Sequence, residues 1–265
     1  MRVAILGAGT VGLTVARLLI ARGDQVLAVR RTPQPPEPHL TWLTADLQHL
    51  MPSDVPGPLD AVVLCVAPSG SDTYGSTYPP AVRTALALAA KHLVYTSSTG
   101  VYGGREGESM TETSPRRGGP PELLEAEDLL LTSQHSGITV LRVAGLYGPG
   151  RDPRGRYRDA ARLPNGGEHW VNLVHHHDVA SAILQVLPWT GAPRVLNLSD
   201  GSPTLAREVC RHLAQVEGRD PKSLTFPPTA PSARSNQRID TTALRSTGWS
   251  PRYPSFREGF AHGLS

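Results

Sequence analysis

Met1-Arg2-Val3-Ala4-Ile5-Leu6-Gly7-Ala8-Gly9-Thr10-Val11-Gly12 opens the chain, and its reading decides the fold. Residues 2–6 form a short β-branched and aliphatic run, as in a strand. From residue 10 to 22 apolar side chains fall at Val11, Val15, Leu18 and Leu19, a helical spacing that Gly23 ends. Between the two runs, Gly7, Gly9 and Gly12 have the spacing G-x-G-x-x-G. Alone this pattern is weak; between a strand and a helix it has a physical meaning. The first glycine permits a tight turn, the second lets backbone approach a pyrophosphate, and the third allows close helix–strand packing. The helix start adds unpaired N–H groups and a partial positive charge. Gly7, Gly9, Thr10, Val11 and Gly12 are therefore read as cofactor-binding residues.

Strand-like and helix-like segments keep alternating outward from this turn. Residues 25–29, 40–43, 60–66, 92–96 and 139–143 read as strands, and 80–90 and 122–131 as helices. The run Asp60-Ala61-Val62-Val63-Leu64-Cys65-Val66 is nearly all apolar, as in a strand buried on both faces. Such alternation predicts an α/β fold, a Rossmann-type doubly wound parallel sheet. From Gly148 the texture changes. Residues 148–167 are rich in Arg, Gly and Pro, and 221–231 are proline-dense, with a strand expected around 224–226. A helix over 179–187 and a strand over 194–198 return to the sheet. The expected division is a dinucleotide-binding core over 1–147, rejoined by 173–198. A small C-terminal substrate lobe then comes mainly from 148–172 and 199–265, with the nicotinamide expected in the cleft between them.

Composition narrows the function. The 265 residues are 39% hydrophobic and 18% charged, which fits one large domain or a domain with an appendage. The 26 basic against 23 acidic residues leave +3, too small an excess for a nucleic-acid-binding stripe. No apolar run approaches the roughly 18 residues of a membrane helix. Cys65 and Cys210 cannot make a disulfide framework, so a reducing cytoplasm is the expected compartment. Both read as packing residues rather than nucleophiles. No Cys-His cluster completes a metal shell, and His175-His176-His177, on an extended segment, would turn at most two side chains to one face. No metal is expected.

The second strand bears on which dinucleotide binds. An NAD site usually places Asp or Glu about 20 residues after the glycines, on the ribose 2′-hydroxyl. Here Val29-Arg30-Arg31-Thr32 stands instead. Arg30 and Arg31 favour an added 2′-phosphate through charge-assisted, forked bonds. The expected cofactor is NADP(H) in preference to NAD(H).

Five ordered segments now carry a resemblance. Tyr95-Thr96-Ser97-Ser98-Thr99-Gly100-Val101-Tyr102-Gly103, Leu141-Arg142-Val143-Ala144-Gly145-Leu146-Tyr147-Gly148-Pro149-Gly150-Arg151 and Asn172-Leu173-Val174-His175-His176-His177-Asp178-Val179-Ala180 are the longest. Val195-Leu196-Asn197-Leu198 and Leu244-Arg245-Ser246-Thr247-Gly248-Trp249 follow. Together they resemble the extended short-chain dehydrogenase/reductase superfamily, the NAD-dependent epimerase/dehydratase group, in its atypical sugar-nucleotide epimerase-like branch. Residues 101–115 and 252–260 carry the likeness to that branch. The resemblance implies that Asp46 and Leu47 edge the adenine, and that Ala67 and Pro68 lie along the riboses. It also implies that Ser98 hydrogen-bonds a substrate oxygen, and that His175 and Asp178 form a structural corner.

One departure limits the functional claim. The superfamily's proton relay is Tyr-x-x-x-Lys, in which the ammonium lowers the phenol's pKa. Alignment puts those positions at Gly119 and Leu123. The chain's two lysines, Lys91 and Lys222, have Ala87 and Gly218 four residues before them. The dyad is absent. Tyr102 is the first substitute proton donor considered, with the alternative that it packs the turn; Tyr147 and Tyr157 rank behind it. Glu106, Glu108 and Glu112 lie on a loop expected near the substrate. Arg142, Arg151, Arg154 and Arg156 either bind an anionic substrate group or are surface charge.

Three functions follow. The first is an NADP(H)-dependent oxidoreductase or epimerase-like enzyme acting on a small polar carbonyl or nucleotide-sugar-like substrate, with catalytic Ser98 and Tyr102. The second is a non-catalytic NADP(H) sensor, and the third a redox-neutral isomerase, dehydratase or cyclase reusing the pocket. A homodimer stays open: such folds often dimerise through helices packed on the sheet, and no feature marks such a face.

Overall fold

The structure, a computed structural model, describes residues 1–231, 235–262 and 264. It divides into two compact units. The first comprises Met1–Ser98, Gly119–Arg142 and Val179–Leu196; the second comprises Thr99–Gly118, Val143–Asp178 and Asn197–Ser265. Residues 99–118, placed with the core in the sequence reading, thus group with the second unit. No helix among the described residues is long and apolar enough to cross a membrane.

The chain opens β1 (Arg2–Leu6), α1 (Thr10–Ala21), β2 (Gln25–Arg30), β3 (Leu40–Thr44), β4 (Ala61–Leu64), α2 (Tyr74–Ala87) and β5 (His92–Ser98). It continues through β6 (Glu108–Met110), α3 (Pro121–Leu131), β7 (Ile138–Val143), β8 (Gly145–Tyr147), β9 (Trp170–Val171), β10 (Leu173–His175), α4 (His176–Val186) and β11 (Arg194–Leu198). It closes with β12 (Thr204–Leu205), α5 (Ala206–Val216), β13 (Gln237–Ile239), α6 (Thr242–Arg245) and α7 (Phe256–His262).

The seven-stranded sheet has the order β11-β7-β5-β4-β1-β2-β3, and β1–β2, β1–β4, β2–β3 and β4–β5 pair in parallel. Strand order reverses beside β1, which makes the carboxyl end of β1 a switch point where open α/β sheets bind ligands. Val3–Leu6 and Ala61–Leu64 are buried without break, so both strands are covered on both faces. The helix expected over 80–90 instead begins at Tyr74. Thr73 and Ser76 form a reciprocal capping box strong enough to start α2 ahead of Pro79 and Pro80 inside it. The lost i→i−4 bonds at those prolines are the cost of that early start.

In the second unit, β6 pairs with β13 in parallel, β8 with β10 in parallel, and β9 with β12 antiparallel. The strand expected around 224–226 does not form; this proline-dense stretch has no regular structure beyond the turn Pro221–Ser223. Phe226 instead packs partly buried against the second core, with the Arg211 guanidinium over its ring. Prolines deny that segment the donors a ladder needs.

A buried ionic clamp closes the first unit. Glu127 on α3 accepts from Ser97 Oγ at 2.6 Å and from Arg142 Nε and Nη2 at 3.1 and 2.7 Å, and all three residues are buried. The end of β5 is thereby tied to both α3 and β7. Arg142 is therefore corrected from a candidate substrate anchor to this structural partner. Removing one side of a buried pair strands the other charge. Arg142→Met should destabilise the protein by about 3–5 kcal/mol in urea unfolding. The double variant Arg142→Met/Glu127→Leu should be more stable than Arg142→Met, because no buried charge is left alone.

Candidate functional site

The glycine turn meets each demand of a diphosphate cradle. Gly7 has φ +89°, and a Cβ there would stand 2.6 Å from the Cys65 carbonyl oxygen. Its N–H, and that of Ala8, donate to Val29 O at 3.2 and 3.1 Å. A Cβ on Gly12 would lie 2.7 Å from Gly7 O, so this glycine lets α1 seat on the turn. A Cβ on Gly9 would meet nothing within 4 Å, so its backbone faces open space. Gly9 caps α1 without a side-chain bond, and the helix's first turn, at Thr10 and Val11, holds no acid. Its N–H groups thus face no competing carboxylate of their own turn. The residues present fit a dinucleotide diphosphate.

The other residues expected at the cofactor lie at the end of β2 and on the loops that leave β2, β3 and β4. Arg30 and Arg31 are exposed at the end of β2. Arg30 Nη1 donates to Gln34 Oε1 at 3.3 Å. Arg31 forks onto Asp72, an ion pair that holds the Asp72 carboxyl down at about 2. Asp46 follows β3 and accepts from Gln48 N; Leu47 O accepts from Thr84 Oγ1 at 2.6 Å. Ala67 is exposed and Pro68 half-buried just beyond β4. The sequence reading missed Asp72 and Ser69 as partners of Arg31. Their separations of 41 and 38 residues gave no local signal.

Ser98 ends β5, half-buried. Lys91 sits at the other end of the same strand, roughly 20 Å away by strand rise, and donates to Asp60 Oδ1. The alignment's lysine position, Leu123, is a buried apolar residue of α3. Its tyrosine position, Gly119, has φ +77° and precedes the helix. The first unit therefore offers no lysine beside Ser98.

In the second unit, Tyr102 is buried and its hydroxyl donates to Asn197 Oδ1 at 2.6 Å. Asn197 in turn donates from Nδ2 to Met110 O and Asp240 O, and from its N–H to Glu112 Oε1. Gln237 accepts from Gly104 N and donates to Thr99 O, while Asn172 bonds Gln237 O and Ile239 N. Gln237 thus bonds Thr99 and Gly104 to β13, Asn197 joins Tyr102, Met110 and Glu112 to Asp240, and Asn172 holds β13 from the other side. Glu108 is held below the usual carboxylate range by backbone N–H groups of its own loop, including that of Glu106. Arg154 forks onto Asp152, Arg151 donates to Leu146 O, and Arg156 is exposed. Tyr157 packs in the second core.

The histidine run is not extended, as the sequence reading had it: His175 ends β10, while His176 and His177 begin α4. Buried His175 accepts from His177 N, and its ring packs on Tyr147 and Tyr253. Asp178 accepts from Arg252 N and Tyr253 N. Burial, with Asp200 and Asp178 nearby, drives the Tyr147 hydroxyl far above its ordinary value. Burial also pushes the Asp200 carboxyl up to about 7, with Asp178 adding to it and Arg245 opposing. Burial pushes the Cys65 thiol up to about 12, which leaves it protonated and inert.

A doubly wound sheet with a glycine turn at its switch point defines a dinucleotide-binding protein. The chain matches the model of the NAD dependent epimerase/dehydratase family over residues 3–199, and it belongs to that family. It is 32% identical to Protein YeeZ of Escherichia coli K12 over 242 residues, which cover 83% of this chain and 85% of that one. A candidate NAD-dependent epimerase/dehydratase from Methylobacillus flagellatus superposes with a TM-score of 0.77 at 27% identity, covering 98% of this chain and 96% of its own. MoeE5, solved with UDP-glucuronic acid and NAD, gives 0.76 at 25% identity, with 99% and 97% covered.

Asp200 supplies a pH signature. Its folded pKa lies above the unfolded aspartate value of about 3.9, so its contribution to stability is complete below that value and is lost as pH rises to about 7. Asp200→Asn keeps an oxygen for the Ser202 N–H. The variant should melt higher than the parent at pH 8 and alike at pH 4, in thermal scans across that range.

Proposed function

We propose that this chain is an NADP(H)-dependent, epimerase/dehydratase-like oxidoreductase acting on a small polar carbonyl or nucleotide-sugar-like compound without the tyrosine–lysine relay. The observation that carries this reading is the glycine turn followed, at the end of β2, by Arg30 and Arg31 where an NAD site has an acid. Gly7, Gly9, Thr10, Val11 and Gly12 take the diphosphate. Arg30 and Arg31 take the 2′-phosphate, Asp46 and Leu47 edge the adenine, and Ala67 and Pro68 line the riboses. The bound nicotinamide supplies or accepts the hydride. Family membership and the UDP-glucuronic acid of MoeE5 support the substrate class.

Ser98 hydrogen-bonds the reacting oxygen of the substrate. Tyr102 is the candidate donor, and it can give its proton only by leaving Asn197. A second reading, a non-catalytic NADP(H) sensor, draws on the missing dyad and on Leu123 filling the lysine position.

Fluorescence titration with NADPH and NADH tests the cofactor. The double variant Arg30→Ala/Arg31→Ala should lose about 10- to 100-fold in NADPH affinity, the worth of one or two charge-assisted bonds, and little in NADH affinity. Turnover on a panel of UDP-sugars and small carbonyls tests the chemistry. Ser98→Ala and Tyr102→Phe should each cost about 10-fold or more in kcat, with the Kd for NADPH unchanged. No turnover by the parent chain on that panel, with NADPH binding intact, would favour the sensor.

A further inference from the structure

Resting on the NADP(H) reading of this site, we infer that the Asp72 carboxylate is an internal competitor for the cofactor's 2′-phosphate, filling the fork of Arg31 and setting how strongly the protein prefers NADPH to NADH. Strand β1 lies between β2 and β4 in the sheet. Its glycine turn is flanked by Val29 on one side, which accepts from Gly7 N, and by Cys65 on the other, whose N–H donates to Leu6 O. Arg31 stands two residues past Val29; Ser69 and Asp72 stand on the chain leaving Cys65. The ion pair therefore joins the two segments that border the glycine turn, at its adenosine-ribose side.

Its geometry is that of anion recognition. Arg31 Nη1 donates to Asp72 Oδ1 at 2.9 Å and Nη2 to Oδ2 at 2.6 Å, while Nη2 also reaches Ser69 Oγ at 2.8 Å. Two parallel N–H groups on two oxygens is the arrangement a guanidinium offers to phosphate as readily as to carboxylate. The carboxylate is itself steadied by Ser69 N–H at 3.2 Å and Ser69 Oγ at 3.3 Å. Protonation does not open the pair, because Arg31 holds the Asp72 carboxyl near 2. What opens it is a stronger anion. Arg31 is about half exposed, so solvent screens the pair and keeps it weak. A 2′-phosphate brings more charge and more acceptor oxygens to the same fork. NADH brings none, and for it the pair stays closed.

Asp72→Asn is the test, since its amide oxygen can still accept from the Ser69 N–H while the competing charge is gone. Kd values for NADPH and NADH are measured by fluorescence titration for the parent, Asp72→Asn, Ser69→Ala and Arg31→Ala. The expected result is a 2- to 5-fold gain in NADPH affinity for Asp72→Asn, a smaller gain for Ser69→Ala, and no change toward NADH. Weaker NADPH binding by Asp72→Asn would make Asp72 an orienting partner of Arg31 and overturn the inference. Equal shifts for both nucleotides would overturn it too, showing a general change in the loop. A parent that does not prefer NADPH, with Arg31→Ala altering neither Kd, would instead remove the NADP(H) reading itself. Circular dichroism melts alongside the titrations establish that each variant is folded, so a loss of binding is not a loss of structure.

Discussion

The close approach at Gly7 is the constraint on which the first unit is built. Its backbone runs so near Cys65 that a side chain has no room, and its φ suits glycine. That contact brings the end of β1 against the end of β4, while the bonds to Val29 O bring it against β2. Gly12 then lets α1 rest on Gly7 O, which fixes where the helix N-terminus points. The loops beyond β2 and β4 inherit their separation from this turn. It is short enough for Arg31 and Asp72 to meet, and the Gly9 backbone is left facing open space. A methyl group at Gly7 would shift all of these at once.

A second constraint holds the end of β5. Ser97, Glu127 and Arg142 form a buried network that keeps the strand registered against α3 and β7. Leu123, the position at which the sequence reading set the lysine of Tyr-x-x-x-Lys, is a buried residue of α3. A leucine there adds to the packing of α3 and carries no charge. Arg142 does not replace the missing cation, because Glu127 neutralises it.

Sequence periodicity read the sheet well because β1, β4 and β11 are local signals: residues 2–6 and 194–198 matched the observed strands, and the buried runs announced themselves. It failed where a distant partner decided the outcome. β6 and β13 are three residues each and pair across a long stretch of chain, with Gln237 of β13 also bonding Gly104, 133 residues away. The helix expected from residue 80 begins at Tyr74 instead, where the Thr73–Ser76 cap starts it. The glycine site was legible since its three roles are fixed by spacing alone. Arg31 was legible as a cation, but not as one engaged by Asp72. Tyr102 was legible as a phenol four residues beyond Ser98 in the chain, but its bond to Asn197, 95 residues away, was not.

The state of the phenols bears on the direction of the proposed reaction. Taking a proton from an alcohol calls for a tyrosinate, and a tyrosinate at neutral pH calls for a nearby cation. Burial instead raises Tyr78 to about 12 and pushes Tyr95 and Tyr147 well above the ordinary phenol value, with neighbouring carboxylates adding to the shift in the last two. The alkoxide formed when hydride reaches a carbonyl is a far stronger base than any of these phenolates, and a neutral hydroxyl is a sufficient acid for it. Without a neighbouring cation, a phenol is therefore better matched to finishing a reduction than to starting an oxidation. On the proposed reading, selection for the 2′-phosphate points the same way, since Arg30 and Arg31, once Asp72 gives way to the phosphate, draw in the phosphorylated cofactor while the missing relay disfavours its return by alcohol oxidation.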